Sequence, residues 1–433
     1  RAAQALVRGD GPGTVRHARQ ALELSPADDH LGRASAAALM GLASWASGDL
    51  EAGYSGYAEC MAGLRRAGHI ADTFGCAIAL ADIRRTQGRL GEAMRTYEQA
   101  LQRASQQGGP VLRGTADMYV GMSEVYRERD DLPAATQQLL RSQELGEHTG
   151  LPQNRYRWRV AMARIREAEG DLGGALDLLN EAERLYVGDF FPNVRPIPAL
   201  RARVQVAQGE LGEALGWARE RDLSVADDLS YLGEFEHVTL VRVLLARYTD
   251  ERAEHPIQEA TQLLERLLRA AEEGQRTGSV IEILVLQALT HQVRDDIPAA
   301  LASLQRALTL AEPEGYVRIF ADEGPPMASL LRAAAKQGIA RNYIRRLLAA
   351  VNKTEDGTPA SQGLTEPLSG RELDVLRLLG TDLGGPDIAR ELIVSLNTVR
   401  THTKNIYAKL GVNNRPAAVR RARELDLSRT GDR

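Results

Sequence analysis

Along the first three quarters of the chain, apolar residues recur at the spacing of one helix face, and short polar breaks interrupt them at regular intervals. The stretch AMRTYEQALQRA is representative: Ala93, Tyr97, Ala100, Leu101 and Ala104 fall on one side of a helix. The breaks share a signature. Gly48-Asp49-Leu50, Gly88-Arg89-Leu90, Asp130-Asp131-Leu132, Gly170-Asp171-Leu172, Gly209-Glu210-Leu211 and Asp295-Asp296-Ile297 each set a Gly or Asp turn before a large aliphatic residue. An alanine follows two or three positions later, at Ala52, Ala93, Ala135, Ala175, Ala214 and Ala300. Signatures lie about forty residues apart, with one double step across 221–294 where the signature is blurred. A helical hairpin accounts for the pattern: one helix ends at the turn, the small alanine lets the next approach closely, and stacked hairpins share a core.

The rhythm changes near the C-terminus. Read as a helix from Asn397, the stretch VSLNTVRTHTKNIYAKL puts Val399, Ile406 and Leu410 on one stripe with Thr403 beside it. The opposite face carries Asn397, Thr401, Lys404 and Ala408, flanked by Arg400 and Tyr407, and Ser395 is placed to cap the first free N–H groups. PDIAREL before it predicts a short helix with Pro386 at its first position and Ile388, Ala389 and Leu392 inward, so that 393–396 form a tight turn. SGRELDVLRLL predicts a helix with Leu373, Leu376 and Leu379 inward and a capping box of Ser369 with Glu372. A last helix runs from Arg415 to Leu425 through Ala418, Val419 and Ala422. From Leu392 to Arg423 there is no Asp or Glu, whereas Arg400, Lys404, Lys409, Arg415, Arg420, Arg421 and Arg423 are cationic. That is the electrostatic footprint of a polyanion-binding element.

The stretch LSGRELDVLRLL…PDIARELIVSLNTVRTHTKNIYAKLGVNNRPAAV resembles the LuxR-type helix-turn-helix of bacterial transcription regulators, over about sixty residues without a gap. The resemblance implies a four-helix domain whose residues after the turn enter the DNA major groove, which maps onto Thr398, Arg400, Thr401 and Lys404. Asn405, Lys409 and Arg415, with Ser395 and Asn397 at the helix start, complete the candidate DNA-binding set. Two departures stand out: Leu396 and Asn397 replace the family's usual acidic residue and glycine, and Pro386 replaces a polar residue. Leu396 is either an apolar contact to a thymine methyl or a packing residue.

The repeats resemble tetratricopeptide repeats in a version longer than the usual 34 residues. The segment AEPEGYVRIFADEGPPMASLLRAA, Ala311 to Ala334, breaks their rhythm and resembles what precedes the DNA-binding domain in large MalT-like LuxR regulators. Its Glu314, Asp322 and Glu323 read as part of an end cap on the last hairpin, since no nucleophile, histidine or phosphate cradle accompanies them. Such regulators begin with a nucleotide-binding ATPase domain, but this chain contains no G-x-x-x-x-G-K-[ST] and only the lysines Lys336, Lys353, Lys404 and Lys409. No cofactor is therefore expected in this chain, ATP being expected only if such a domain lies upstream of Arg1, and no enzymatic activity is expected. The chain opens on Arg1 rather than Met, already within a helical pattern, as a fragment would.

Composition narrows the classes. Lys and Arg number 54 against 58 Asp and Glu, a net charge of −4, which excludes a chain coated with nucleic acid. From Leu364 onward, twelve cations face nine anions, leaving +3 there and −7 on the rest, an acidic body with a basic end. Cys60 and Cys76 form no C-x-x-C pair and read as buried small residues in a reducing, cytoplasmic setting. The eight histidines are scattered, so no metal site is expected. VIEILVLQAL is too short to span a membrane and contains Glu282. Trp45, Trp158 and Trp217 read as packing or groove-wall residues. The cluster Tyr156–Arg159 is open to two readings, a ligand stack or arginines lying along a packed Trp. GDFFPNVRPIP, Gly188 to Pro198, is a long loop and a candidate gate for a groove. NKTEDGTPASQGLTEP, Asn352 to Pro367, reads as a flexible linker with a reach of about 20 Å.

The expected architecture is all-α: a repeat solenoid over 1–350, a linker over 351–367 and a four-helix LuxR-type helix-turn-helix domain over 368–427. The expected function is sequence-specific transcription regulation. Promoter or operator DNA, RNA polymerase and a second copy on DNA are the expected partners, with a small-molecule or protein effector on the repeats and no membrane. No ligand-binding residue of the repeats is assigned from sequence. The alternative is a repeat-type interaction scaffold with an incidental basic end.

Overall fold

The computed structural model describes residues 1–106, 110–188, 191–251, 253–357, 370–381, 383–392, 396–410, 412 and 415–424. At 147, 353–357, 370–374, 386, 396, 397, 400, 401, 408, 416, 420, 423 and 424 only the backbone is described. Every regular element among these residues is a helix. The chain divides into two compact units, Arg1–Val351 and Asn352–Arg433. Among the described residues no helix is long and apolar enough to cross a membrane.

The first unit is built of antiparallel hairpins, and the signature is their turn. Its first residue adopts a left-handed conformation at Gly48 (φ 92°), Gly88 (78°), Asp130 (65°), Gly170 (84°), Gly209 (79°) and Asp295 (62°). Glycine enters this region freely and Asp is among the few side chains that tolerate it, which is why those two residues fill the position. Where the second residue is Asp, its carboxylate caps the next helix. Asp49, Asp131, Asp171 and Asp296 accept from the N–H groups of Ala52, Ala134, Gly174 and Ala299 at 2.9–3.1 Å. The third position past the aliphatic residue faces the partner helix, and Ala93, Ala135, Ala175, Ala214 and Ala300 are fully buried there. Ala52 departs from this role. It is exposed, and Gly53 holds the close-packed place, where a Cβ would meet that of Trp45 at 3.1 Å. The blurred double step contains the helices Glu234–Glu251 and Glu254–Glu273, between which the sequence carries no signature.

The helices opening successive hairpins turn one face to a common interior, and that face is charged. Arg85 pairs with Asp82 at 3.2 Å and with Glu124, Arg157 reaches Asp82 at 2.9 Å, and Arg203 and Arg242 share Glu282 at 2.6 and 3.0 Å. Glu282 belongs to Thr277–Val293, a helix apolar nearly all round and buried accordingly. The segment after Ala311 does more than cap the last hairpin. It reaches back to Thr115–Glu128, where Val317 N–H donates to the Glu128 carbonyl and Ile319 N–H to its carboxylate, both at 2.9 Å. Arg318, 1% exposed, pairs with Asp130 and Asp322 and donates to the Ala168 carbonyl, and Arg127 also pairs with Asp322.

The tryptophans are packing residues. Trp45 donates to the Tyr231 hydroxyl at 3.0 Å and lies 5.8 Å from the Phe191 ring, Trp158 donates to the Leu139 carbonyl at 2.9 Å, and Trp217 is buried. Helix Arg341–Gly357 continues into the polar stretch assigned to the linker. Residues 358–367 lie outside the described ones.

Candidate nucleic-acid interface

The second unit contains the helices Gly370–Leu379, Gly385–Glu391, Leu396–Leu410 and Arg415–Glu424. Its core joins Val375, Leu376 and Leu379 from the first, Ile388 and Ala389 from the second, Val399, Ile406 and Leu410 from the third, and Ala418 and Ala422 from the fourth. The third helix packs against all three others, so its backbone is fixed on several sides. The apolar stripe read from sequence is this core face. Thr403, beside it, returns its hydroxyl to the Val399 carbonyl at 2.8 Å. Tyr407, placed by sequence near the polar face, is half-buried against the core, and burial pushes its hydroxyl pKa up.

Away from the core, Lys404 and Asn405 are exposed, while Thr398 and Lys409 are half-buried. Asn397, Arg400 and Thr401 lie on the same helix, but their side chains, and Ser395 entirely, lie outside the described residues. So do the side chains of Glu372 and Leu373, and Ser369 and Leu425 entirely. Helix three begins at Leu396, one residue ahead of the expected start, and helix two at Gly385, which puts Pro386 second in it. The helix-two start is held by Asp387, whose carboxylate accepts from the Gly384 N–H at 3.3 Å.

Arg415 has a local role that the sequence did not reveal. Its guanidinium donates to the carbonyls of Leu379 at 2.9 Å, Leu378 at 3.5 Å and Thr381 at 2.6 Å. These carbonyls lie at and just past the end of the first helix, where a cation also opposes the helix dipole. Only part of its fork is left for phosphate.

In the first unit, the cluster Tyr156–Arg159 is divided among partners. Arg157 pairs with Asp82, Arg159 with Glu181 at 2.9 Å, and Tyr156 packs on Tyr186 with ring centroids 5.0 Å apart. The loop from Gly188 contributes Phe191 to Arg195 to an interior cavity wall, while 189 and 190 lie outside the described residues. Among the described residues no group of three or more His, Cys, Asp or Glu is placed to hold a metal ion.

Comparison with known proteins agrees with this division. Residues 1–337 match the family model of the MalT-like TPR region, and residues 366–422 match that of bacterial regulatory proteins of the luxR family. The HTH-type transcriptional regulator MalT of Yersinia pestis (strain Pestoides F) is 27% identical over 299 residues, covering 63% of this chain and 32% of that protein. MalT of Yersinia enterocolitica serotype O:8 is 26% identical over the same length and shares. The chain thus spans about a third of the length of these relatives. Among solved structures, a Signal Transduction ATPase with Numerous Domains protein with a tetratricopeptide repeat sensor, from Pyrococcus horikoshii, matches at a TM-score of 0.33 and 14% identity, covering 80% of this chain and 53% of that one. The TPR domain of P58(IPK) matches at a TM-score of 0.22 and 15% identity, covering 83% and 97%. With repeats in the first unit and a helix-turn-helix in the second, the chain belongs to the MalT-like group of LuxR-family bacterial regulatory proteins.

Proposed function

We propose that this chain is the effector-sensing and DNA-binding part of a sequence-specific transcription regulator. The observation that carries the reading is the helix Leu396–Leu410. One stripe of it is locked in a core by three other helices while Lys404 and Asn405 stand exposed, within a run from Leu392 to Arg423 that contains no carboxylate. A rigidly backed, acid-free helix that closely follows a short helix suits insertion into the major groove. Arg400, Thr401 and Lys404 take the groove contacts, with Asn397 and Ser395 at the helix start. Thr398, Asn405 and Lys409 hold phosphates. Arg415 serves chiefly by bracing the fourth helix against the first.

One such module buries little DNA surface, so a homodimer on two half-sites and contact with RNA polymerase follow from this reading, as does a cytoplasmic location. The repeat unit receives a small-molecule or protein effector and controls the helix-turn-helix unit.

The test is binding of the purified chain to its own upstream DNA across a salt series, beside Arg400→Ala with Lys404→Ala. The expected result is a specific complex whose affinity falls steeply with salt, and a double variant weakened by about 1–3 kcal/mol per lost base contact. If the intact chain shows no preference over random DNA even at low salt, the scaffold reading replaces this one.

A further inference from the structure

The interior of the repeat unit holds a partly open cavity of about 300 Å³ that the function above does not use. It adjoins a chamber of about 150 Å³ walled by Tyr156, Tyr186 and Phe191, and the two share Arg85, Arg164 and Arg195. Most wall carboxylates already have cations. Glu282 has Arg203 and Arg242, Glu323 has Arg242, Glu234 has Arg276, Asp322 has Arg127 and Arg318, and Glu124 has Arg85. Glu128 accepts from the Ile319 N–H and lies 3.5 Å from Arg127, and Glu167 has no ion pair among the described residues. This occupancy leaves the cavity poorly suited to a cation.

Three guanidiniums, by contrast, have donors to spare. Arg195 makes no hydrogen bond or ion pair among the described residues, and its guanidinium lies 5.7 Å from the centroid of the Phe235 ring. Arg203 lies 3.8 Å over that ring; it uses Nε on Thr239 and Nη1 on Glu282, and leaves its buried Nη2 without a partner. Arg164 makes only long ion pairs, 3.6 Å to Glu124 and 3.8 Å to Glu128. Burial, and then the neighbouring guanidiniums of Arg127 and Arg195, hold Arg164 down to about 10. Burial also holds Arg203 down to about 10, with Arg242 and Arg195 adding to the effect against the pull of Glu282. Guanidiniums thus neighbour one another at a buried part of the wall. A bound anion would relieve that repulsion, and the guanidinium donors left over match the oxygens of a carboxylate or phosphate.

We propose that this cavity binds a small organic anion, its carboxylate or phosphate held among Arg164, Arg195 and Arg203 and its aromatic or apolar body set in the Tyr156–Tyr186–Phe191 chamber. The volume suits a small metabolite rather than a peptide or nucleic acid. The inference rests on the repeat unit being the effector-receiving part of the proposed regulator, and it names the chemical class of that effector.

Calorimetric titration of the whole chain with phenyl phosphate, benzoate, inorganic phosphate and neutral benzyl alcohol tests it. An aromatic anion is expected to bind at millimolar concentration or better, and benzyl alcohol is not. Phenyl phosphate against benzoate decides the head group, and inorganic phosphate alone is expected to bind more weakly than phenyl phosphate. Arg195→Ala, at an exposed loop position with no hydrogen bond or ion pair among the described residues, is expected to keep the circular dichroism of the parent and lose at least tenfold in affinity, with Arg195→Lys recovering part of it. The proposal is overturned if neither aromatic anion binds, if benzyl alcohol binds equally well, or if Arg195→Ala binds as tightly as the parent. DNA binding is measured on the same preparation. Specific DNA binding without anion binding removes this inference alone, whereas anion binding without DNA binding removes the regulator reading and leaves the site.

Discussion

The second residue of each repeat signature decides how well its helix begins. Asp49, Asp131, Asp171 and Asp296 cap; Glu210 occupies the same place and its side chain makes no cap bond. Its extra methylene moves the carboxylate out of reach of the N–H two or three residues on. Glu210→Asp is therefore expected to raise stability by about 1 kcal/mol, read as a higher urea midpoint at unchanged slope. Gly121 shows the opposite sensitivity. A Cβ there would meet the Tyr97 ring at 2.2 Å, and Tyr97 is fully buried. Gly121→Ala is expected to cost about 1–3 kcal/mol in the same measurement, because neither ring nor helix has room to yield. The turn residues and small contacts were legible in sequence because each acts on its immediate neighbours. The Cys60 and Cys76 sulfurs lie 3.5 Å apart, and their sixteen-residue separation gave no hint of it.

Helices were legible where one face is apolar and the other polar. That pattern located the core face of Leu396–Leu410, through Val399, Ile406 and Leu410, without any knowledge of its neighbours. It failed for the inner helices of the repeat unit, whose lumen-facing positions include Arg, Asp and Glu. Those side chains are buried only because partners such as Glu282 for Arg203, or Asp322 for Arg127, come from far along the chain. Arg415 is a smaller case: a cation in a basic run reads as a phosphate contact, while its acceptors at Leu378, Leu379 and Thr381 are invisible to spacing. Arg415→Ala is expected to destabilise the second unit by about 1–3 kcal/mol, seen in its thermal unfolding. Its DNA affinity is expected to drop without a change in preferred sequence, since the variant loosens a brace rather than removing a base contact.

Across the repeat unit as a whole, the interior charge lattice ties stability to pH. Burial alone would raise the carboxyls of Glu124 and Glu282, but Arg85 and Arg164 beside the first, and Arg203 and Arg242 beside the second, hold both at about 2. A carboxyl lowered on folding stabilises the native state above its ordinary value of 4.5, and that stabilisation is lost as pH falls from there toward 2. Glu323 and Asp117, raised by burial, offset part of the loss. Helical circular dichroism is expected to collapse within that acid window, with a shallower dependence in Glu282→Gln. Arg127→Ala, which leaves Asp322 with one cation fewer in a buried site, is expected to cost about 3–5 kcal/mol. An unchanged midpoint would mean that Arg318 alone suffices.

The strand of contacts from Val317, Arg318 and Ile319 back to Glu128, Asp130 and Ala168 also orders events in time. A ribosome makes this chain from the N-terminus, so the early hairpins emerge and stack while the residues that complete their interior are still unmade. Local hairpin contacts form quickly, but closure must wait for a segment roughly 190 positions downstream of Arg127 and Glu128. Until then, a half-built lumen displays unpaired arginines to solvent. Nascent chains stalled before residue 312 should accordingly be the protease-sensitive ones, and those extended past 334 the resistant ones.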